Sequence, residues 1–110
     1  MRRLLFLGFF SLIISACTFM PNTYVQSELS QSQRYFDQGY YKRAMQQLIP
    51  LACNGNPQAQ YAIGYMYYYG LGVTQDTDVG YRWMQQAADK GYRPAKNAMN
   101  SITSPDSLKH

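Results

Sequence analysis

The sequence predicts an all-α fold, a short α-solenoid of stacked helix pairs, and two observations support it. Five small or apolar residues are matched by similar residues 36 positions later, namely Ala52, Gly55, Ala59, Ala62 and Ile63. Between its glycines and prolines, the chain also places apolar residues at helical spacing. A fixed period of roughly 20–50 residues is typical of repeat proteins, whose units stack because none buries its apolar face alone.

The first predicted helix covers Ser27 to Asp37. Val25, Leu29 and Phe36 lie at helical offsets, and Gln38-Gly39 marks the turn that follows. Residues 17–26 contain a proline and an asparagine and are predicted to form a tether.

A second helix follows this turn. It is predicted from an apolar stripe of Tyr41, Ala44, Leu48, Leu51 and Ala52. Pro50 lies within the helix and removes one backbone hydrogen bond, so we expect a kink near Gln46. Cys53 adjoins the stripe and is predicted to be a small buried apolar residue, with an intermolecular disulfide as the alternative.

The third predicted helix extends from Pro57 to Tyr69. Asn56-Pro57 favours a helix start, and Gly70 and Gly72 can adopt the positive φ of a bend. The packed face is predicted to consist of Ala59, Ala62, Ile63 and Met66. Gly64 is interpreted as a point of close helix–helix approach.

Asp76 is placed to cap a fourth helix, and Gly91 is placed to end it. The buried face of this helix is predicted to contain Gly80, Trp83, Met84 and Ala87. A fifth helix from Arg93 repeats the stripe with Ala95, Ala98, Met99 and Ile102. Residues 104–110 are predicted to be a disordered tail.

The segment 59–95 resembles the Sel1-like repeat, a relative of the tetratricopeptide repeat. The resemblance rests on Ile63, Gly64, Tyr67, Gly70, Gly72, Val73, Asp76, Trp83, Ala87, Ala88, Gly91 and Ala95. It implies a right-handed superhelix of antiparallel helix pairs, here over residues 27–103 with one complete repeat. Gly80 departs from the family pattern, which usually has alanine there, and we expect a less rigid unit because glycine disfavours a helix.

The N-terminus has the features of a secretory signal. Arg2 and Arg3 precede an apolar run that is too short to span a bilayer. Residues 14–17, Ile-Ser-Ala-Cys, resemble a bacterial lipobox, which implies cleavage after residue 16 and lipidation of Cys17. Thr18 follows the cysteine, and the absence of aspartate at this position resembles lipoproteins sorted to the outer membrane. A plain cleaved signal is the alternative.

Composition and motifs argue against catalysis. The sole histidine is His110, and no nucleophile–base pair, zinc motif or phosphate loop is present. We therefore predict no enzyme activity, no metal and no cofactor. The formal charge of +4 falls to +2 without Arg2 and Arg3, and the basic residues are scattered, so nucleic acid is not a predicted partner.

Tyrosine is unusually frequent, with 11 in 110 residues. Tyr61, Tyr65 and Tyr68 share one helix face, and the family resemblance implies that this face lines the concave surface. Tyrosine suits recognition because it combines a rigid ring with a hydroxyl. The alternative is that these rings pack against residues 27–37, while Tyr67 and Tyr81 are predicted to be core residues.

The sequence therefore predicts an adaptor that is anchored through Cys17 and binds another envelope protein through the three tyrosines. Its predicted location is the periplasmic face of a bacterial outer membrane, with exposure at the cell surface left open. The resemblance implies a role in envelope assembly, secretion or host interaction. The alternative is a non-catalytic lipoprotein that binds peptidoglycan or another glycan.

Overall fold

The computed structural model describes residues 22–104, and this part of the chain contains five helices and no strand. They are α1 (Asn22–Asp37), α2 (Tyr41–Cys53), α3 (Pro57–Tyr69), α4 (Thr77–Asp89) and α5 (Arg93–Thr103). Each helix packs mainly against its neighbours in the chain, and α3 and α4 share the most extensive contact. The all-α prediction is therefore confirmed. The predicted signal peptide, Cys17 and residues 105–110 lie outside the described residues.

The core lies between α1, α2 and α3. Its buried side chains include Ala44, Leu48, Ile63 and Met66, and Trp83 of α4 packs against them while half-buried. The helical spacing of these residues places them on facing sides of adjacent helices. The predicted stripes of α2 and α3 thus form the core of the repeat.

Helix α1 begins at Asn22, five residues before the predicted start at Ser27. The last five residues of the predicted tether are consequently helical. Val25 explains the difference, because its side chain packs against the core and extends the buried face of α1 by a turn. Helix α2 continues through Pro50, and the kink near Gln46 stays a prediction.

The turn between α2 and α3 forms as the sequence predicts. Asn56 caps α3, since its side-chain oxygen accepts a hydrogen bond of 2.9 Å from the Ala59 amide. Pro57 occupies the first turn, where a missing N–H costs nothing.

The bend between α3 and α4 uses left-handed backbone at Gly70 and Gly72, with φ of 69° and 72°. Asp76 caps α4 by accepting a 3.1 Å hydrogen bond from the Val79 amide. Gly91 follows α4 with φ of 87° and donates to the Ala88 carbonyl.

Gly64 and Gly80 face each other where α3 crosses α4. A Cβ atom on Gly64 would lie 2.8 Å from the Gly80 carbonyl oxygen, and one on Gly80 would lie 2.7 Å from that of Gly64. The close approach predicted at Gly64 is therefore present, and Gly80 is its other half. The expectation that Gly80 loosens the repeat missed this contact, since the missing side chain lets the two backbones meet.

Cys53 is exposed, so the prediction that it is buried is wrong. The buried stripe of α2 ends at Leu51 and Ala52. Cys53 is the next residue and the last of the helix, and the turn of about 100° per residue carries its side chain out of the stripe.

Candidate interaction groove

A groove of about 220 Å³ runs between α1 and α3 and is the principal candidate site. Its lining residues come from α1, α2, α3 and the start of α5: Leu29, Ser32, Gln33, Phe36, Leu48, Gln58, Tyr61, Ala62, Tyr65 and Tyr92. None of these side chains carries a charge, and α3 contains no charged residue at all. The groove is therefore a neutral surface of aliphatic, aromatic and amide groups.

Helix α3 places Tyr61 and Tyr65 in this groove because its opposite face is buried. Ala59, Ile63 and Met66 are no more than 1% exposed and fix the rotation of the helix. Tyr61 and Tyr65 are four residues apart, so their rings lie on one side of α3 with centroids 6.3 Å apart.

Aromatic rings from two other elements extend the surface. Tyr92, the residue before α5, lies with its ring 5.7 Å from that of Tyr61. Phe36 of α1 meets Tyr65 edge-on at 6.1 Å, which is the packing against α1 that the alternative interpretation expects. Tyr65 nevertheless stays 37% exposed, so this contact does not cover it.

Tyr68 does not line the groove, although the sequence places it on the same face of α3. Phe36, the penultimate residue of α1, already contacts Tyr65. Tyr68 lies one turn further along α3. Its ring packs at 5.1 Å against Tyr69 instead. The predicted stripe is thus divided between the groove and an adjacent surface.

Two further tyrosines, Tyr69 and Tyr92, extend this aromatic surface and are not among the predicted contact residues. Tyr69 is 56% exposed, and its ring lies 4.6 Å from that of Tyr65. It continues the four-residue spacing of Tyr61 and Tyr65, a signal that was available in the sequence. The 36-residue repeat also equates Tyr92 with Asn56, the cap of α3, and so places it beside the start of that helix.

The predicted core tyrosines, Tyr67 and Tyr81, are both half-buried. Tyr67 packs against the core cluster.

The phenols of Tyr61 and Tyr92 are held in their neutral form by their surroundings. Partial burial raises the pKa of Tyr61, with smaller contributions from the neighbouring phenols of Tyr65, Tyr92 and Tyr69. Burial also raises the pKa of Tyr92. The hydroxyls of Tyr61, Tyr65 and Tyr92 make no hydrogen bond within residues 22–104, so each can bond a ligand.

Other kinds of site are not found among the described residues. In that range, no group of three or more histidine, cysteine or acidic side chains could hold a metal ion. None of the helices there is long and apolar enough to cross a membrane.

Comparison with known proteins supports the repeat assignment. Residues 57–92 match the family model described as the Sel1 repeat. Chitin synthase regulatory factor 3 of Schizosaccharomyces pombe is 40% identical over 48 residues, which make up 44% of this chain. The matched region covers only 5% of that yeast protein. No solved structure matches the chain. Sel1 repeats generally mediate binding between proteins.

Proposed function

We propose that this chain, which contains a Sel1 repeat at residues 57–92, is a non-catalytic adaptor that binds another envelope protein. The observation that carries the proposal is the neutral groove between α1 and α3. Its rings offer apolar area, and its unpaired phenols can bond the backbone or side chains of a partner. The adaptor is anchored by lipid at Cys17 on the periplasmic face of a bacterial outer membrane, where it serves an envelope, secretion or host-interaction system.

The anchor rests on the lipobox at residues 14–17 and the apolar run before it. Two or more acyl chains hold a protein stably on a bilayer, whereas one does not. Mass spectrometry of the mature N-terminus tests this directly. An acylated Cys17 is the expected result, and an unmodified cysteine contradicts the anchor.

The absence of catalysis is proposed from the residues themselves. The sequence has a single histidine, His110, which lies outside the described residues, so residues 22–104 contain no imidazole that could serve as a base. The name of the yeast relative describes a factor that regulates an enzyme. A regulator or adaptor needs a binding surface and no reacting group, which agrees with the side chains of the groove.

Affinity purification from detergent-solubilised envelopes tests the binding surface. The double substitution Tyr61→Ala/Tyr65→Ala removes two rings that line the groove, and we expect partner recovery to fall at least about tenfold. Tyr40→Ala is the matched control, because Tyr40 is 54% exposed and does not line the groove. Equal recovery with both variants would contradict the assignment of the groove.

A second assay separates protein binding from glycan binding. Neutral aromatic surfaces with free hydroxyls also suit sugars, and sedimentation with purified peptidoglycan sacculi measures that directly. The adaptor is expected to stay in the supernatant. Co-sedimentation that depends on Tyr61 and Tyr65 would favour a glycan-binding lipoprotein instead.

A further inference from the structure

The two ends of the helix array differ in charge. One end holds the start of α1, the end of α2, the start of α3, the end of α4 and the start of α5. Two contacts establish it: the Lys90 ammonium donates to the Gly55 carbonyl at 2.5 Å, and the rings of Tyr61 and Tyr92 meet at 5.7 Å. We name it the basic end, because it carries Lys90, Arg93 and Lys96 against one acid, Asp89.

The opposite end is balanced. There Gly72 packs against Tyr41, which joins the α1–α2 turn to the α3–α4 bend. Its basic residues are Arg34, Lys42 and Arg43, and its acidic residues are Asp37, Asp76 and Asp78. Glu28 and Arg82 lie between the two ends and cancel. The net charge of +2 on the described residues is therefore located entirely at the basic end.

The charges of the basic end are accessible. Lys90, Arg93 and Lys96 are exposed, and none of them forms an ion pair within residues 22–104. Arg93 and Lys96 are three residues apart in the first turn of α5, so their side chains lie on neighbouring positions. Asp89 accepts a hydrogen bond from Gln85 and not from a basic group.

The position of Cys17 brings this end close to a bilayer if the proposed anchor is present. Cys17 lies five positions before Asn22, and an extended chain covers at most about 3.6 Å per residue. The start of α1 is then within ~18 Å of the lipid. Phe36, near the end of α1, contacts Tyr41 at the start of α2 with ring centroids 5.2 Å apart, and Tyr41 lies at the balanced end. The start of α1 therefore lies at the basic end.

We propose that the basic end rests on the anionic phospholipid surface to which Cys17 is anchored. Lys90, Arg93 and Lys96 bind lipid phosphates, and the α1–α3 groove then opens beside the membrane with the balanced end directed away from it. This inference depends on the lipid anchor proposed above. It assigns the domain an orientation that the anchor alone does not impose, because favourable charge contacts select one orientation of a tethered body.

Cys53 provides a reporter for the experiment. It is exposed at the basic end and is the single free thiol once Cys17 is acylated. The lipidated protein is labelled there with a donor fluorophore and reconstituted into phosphatidylcholine vesicles with or without phosphatidylglycerol. Energy transfer to an acceptor on the lipid headgroups measures the distance. The variant Cys53→Ser/Thr74→Cys moves the donor to an exposed position at the balanced end.

The proposal predicts that phosphatidylglycerol increases energy transfer from a donor at position 53 and decreases it from a donor at position 74. Salt at several hundred millimolar should remove both changes, because it screens charges beyond a few ångströms. Arg93→Gln/Lys96→Gln should lower the equilibrium constant for the bilayer-facing orientation at least about tenfold. Arg34→Gln/Lys42→Gln removes the same charge from the balanced end and should not lower this constant, because it leaves that end with a net charge of −2, which anionic lipid repels. Lys90 is retained because it also bonds Gly55.

Two results would overturn the proposal, and they are distinct. Energy transfer that is equal with and without phosphatidylglycerol would reject the orientation while leaving the anchor and groove intact. An unmodified Cys17, detected by mass spectrometry before reconstitution, would reject the anchor and this orientation together. Partner binding by the groove variants is measured in a separate assay, which tests the groove and not the anchor or the orientation.

Discussion

The two faces of α3 meet their neighbours in opposite ways. Toward α4, Gly64 meets Gly80, and the backbones approach so closely that an added Cβ would lie below 3 Å from its neighbours. Toward α1, Tyr61 and Tyr65 flank a groove of about 220 Å³. The small residues close one interface, and the large rings leave the other open. A single helix thus carries stability on one face and recognition on the other, so adjacent substitutions should separate the two.

Met66 and Tyr65 provide the strongest test of this separation, because they are sequence neighbours on different faces of α3. Met66 is fully buried, whereas Tyr65 is 37% exposed. We expect Met66→Ala to lower the free energy of unfolding by about 2–5 kcal/mol, since it leaves a cavity. Tyr65→Ala should cost only about 1 kcal/mol, the loss of its ring contacts. Chemical denaturation followed by circular dichroism measures both, and equal losses would mean that the groove face is also core.

The closed interface should not tolerate a methyl group. Gly64→Ala places Cβ 2.7 Å from Met84 Cγ and 2.8 Å from the Gly80 carbonyl, so we expect a loss of about 1–3 kcal/mol despite the better helix propensity of alanine. Gly80→Ala should behave alike. The double variant should cost less than the sum, because helices already forced apart have room for the second methyl group. Denaturation midpoints of the three variants measure these losses, and strictly additive values would contradict a shared contact.

Gly91→Asn is the control for this series. Gly91 has a positive φ of 87°, but an added Cβ would have no atom within 4 Å, and asparagine tolerates the left-handed region. The substitution should change the free energy of unfolding by less than about 1 kcal/mol. A loss of stability as large as that of Gly64→Ala would show that replacing Gly91 strains the left-handed backbone, since no neighbouring atom crowds an added Cβ at this position.

Asp76 tests the bend that joins α3 to α4. Its carboxylate accepts a hydrogen bond from the Val79 amide at 3.1 Å. Asp76→Ala should lower the free energy of unfolding by about 1 kcal/mol, and Asp76→Asn should preserve most of it because asparagine is also a good cap. Thermal unfolding compares the two variants, and equal transition temperatures would contradict a capping role.

The smallest expected effect is the pH dependence of folding stability that arises from the groove tyrosines Tyr61 and Tyr92. The pKa of Tyr61 and Tyr92 is raised in the folded chain, so their neutral forms are favoured there. Their contribution to stability is complete below the unfolded pKa of about 10 and is lost as the pH rises through the folded pKa. Tyr61→Phe/Tyr92→Phe should therefore reduce the alkaline loss of stability. Denaturation midpoints from pH about 9 to 11 measure it; an unchanged slope would contradict the direction of the shifts.

The elements that carry local signals were predictable from the sequence. Helix α3 has the predicted bounds, because Asn56-Pro57 starts it and Gly70 ends it through backbone conformations that few residues adopt. The cap at Asp76 was predictable for the same reason. The early start of α1 was not, since it depends on which turn of that helix reaches the core. The exposure of Cys53 follows from the rotation of about 100° per residue past Ala52, which the prediction overlooked.

The groove was predictable only in part. Spacing placed Tyr61 and Tyr65 together, but the limit of the groove depends on where α1 ends relative to α3. Tyr68 does not line the groove, whereas Tyr92 does because the start of α5 packs beside α3 and brings its ring to Tyr61. Gly80 similarly lowers the helix propensity of α4, and its favourable role follows only from its backbone contact with Gly64 of α3. The role of such residues depends on a neighbour distant in the sequence, so the residues around them do not reveal it. Tyr92 differs, because the 36-residue repeat relates it to Asn56 at the start of α3.

Site-specific photocrosslinking in living cells measures directly whether the α1–α3 groove contacts a partner. A photoreactive phenylalanine derivative replaces Tyr65 in the groove or, as the control, Gln86 on the exposed face of α4. If the groove binds a partner, position 65 should give a discrete protein adduct and position 86 should give none. Adducts of equal yield from both positions, or none from position 65 in cells where partner binding is intact, would contradict the claim that the α1–α3 groove is the recognition surface.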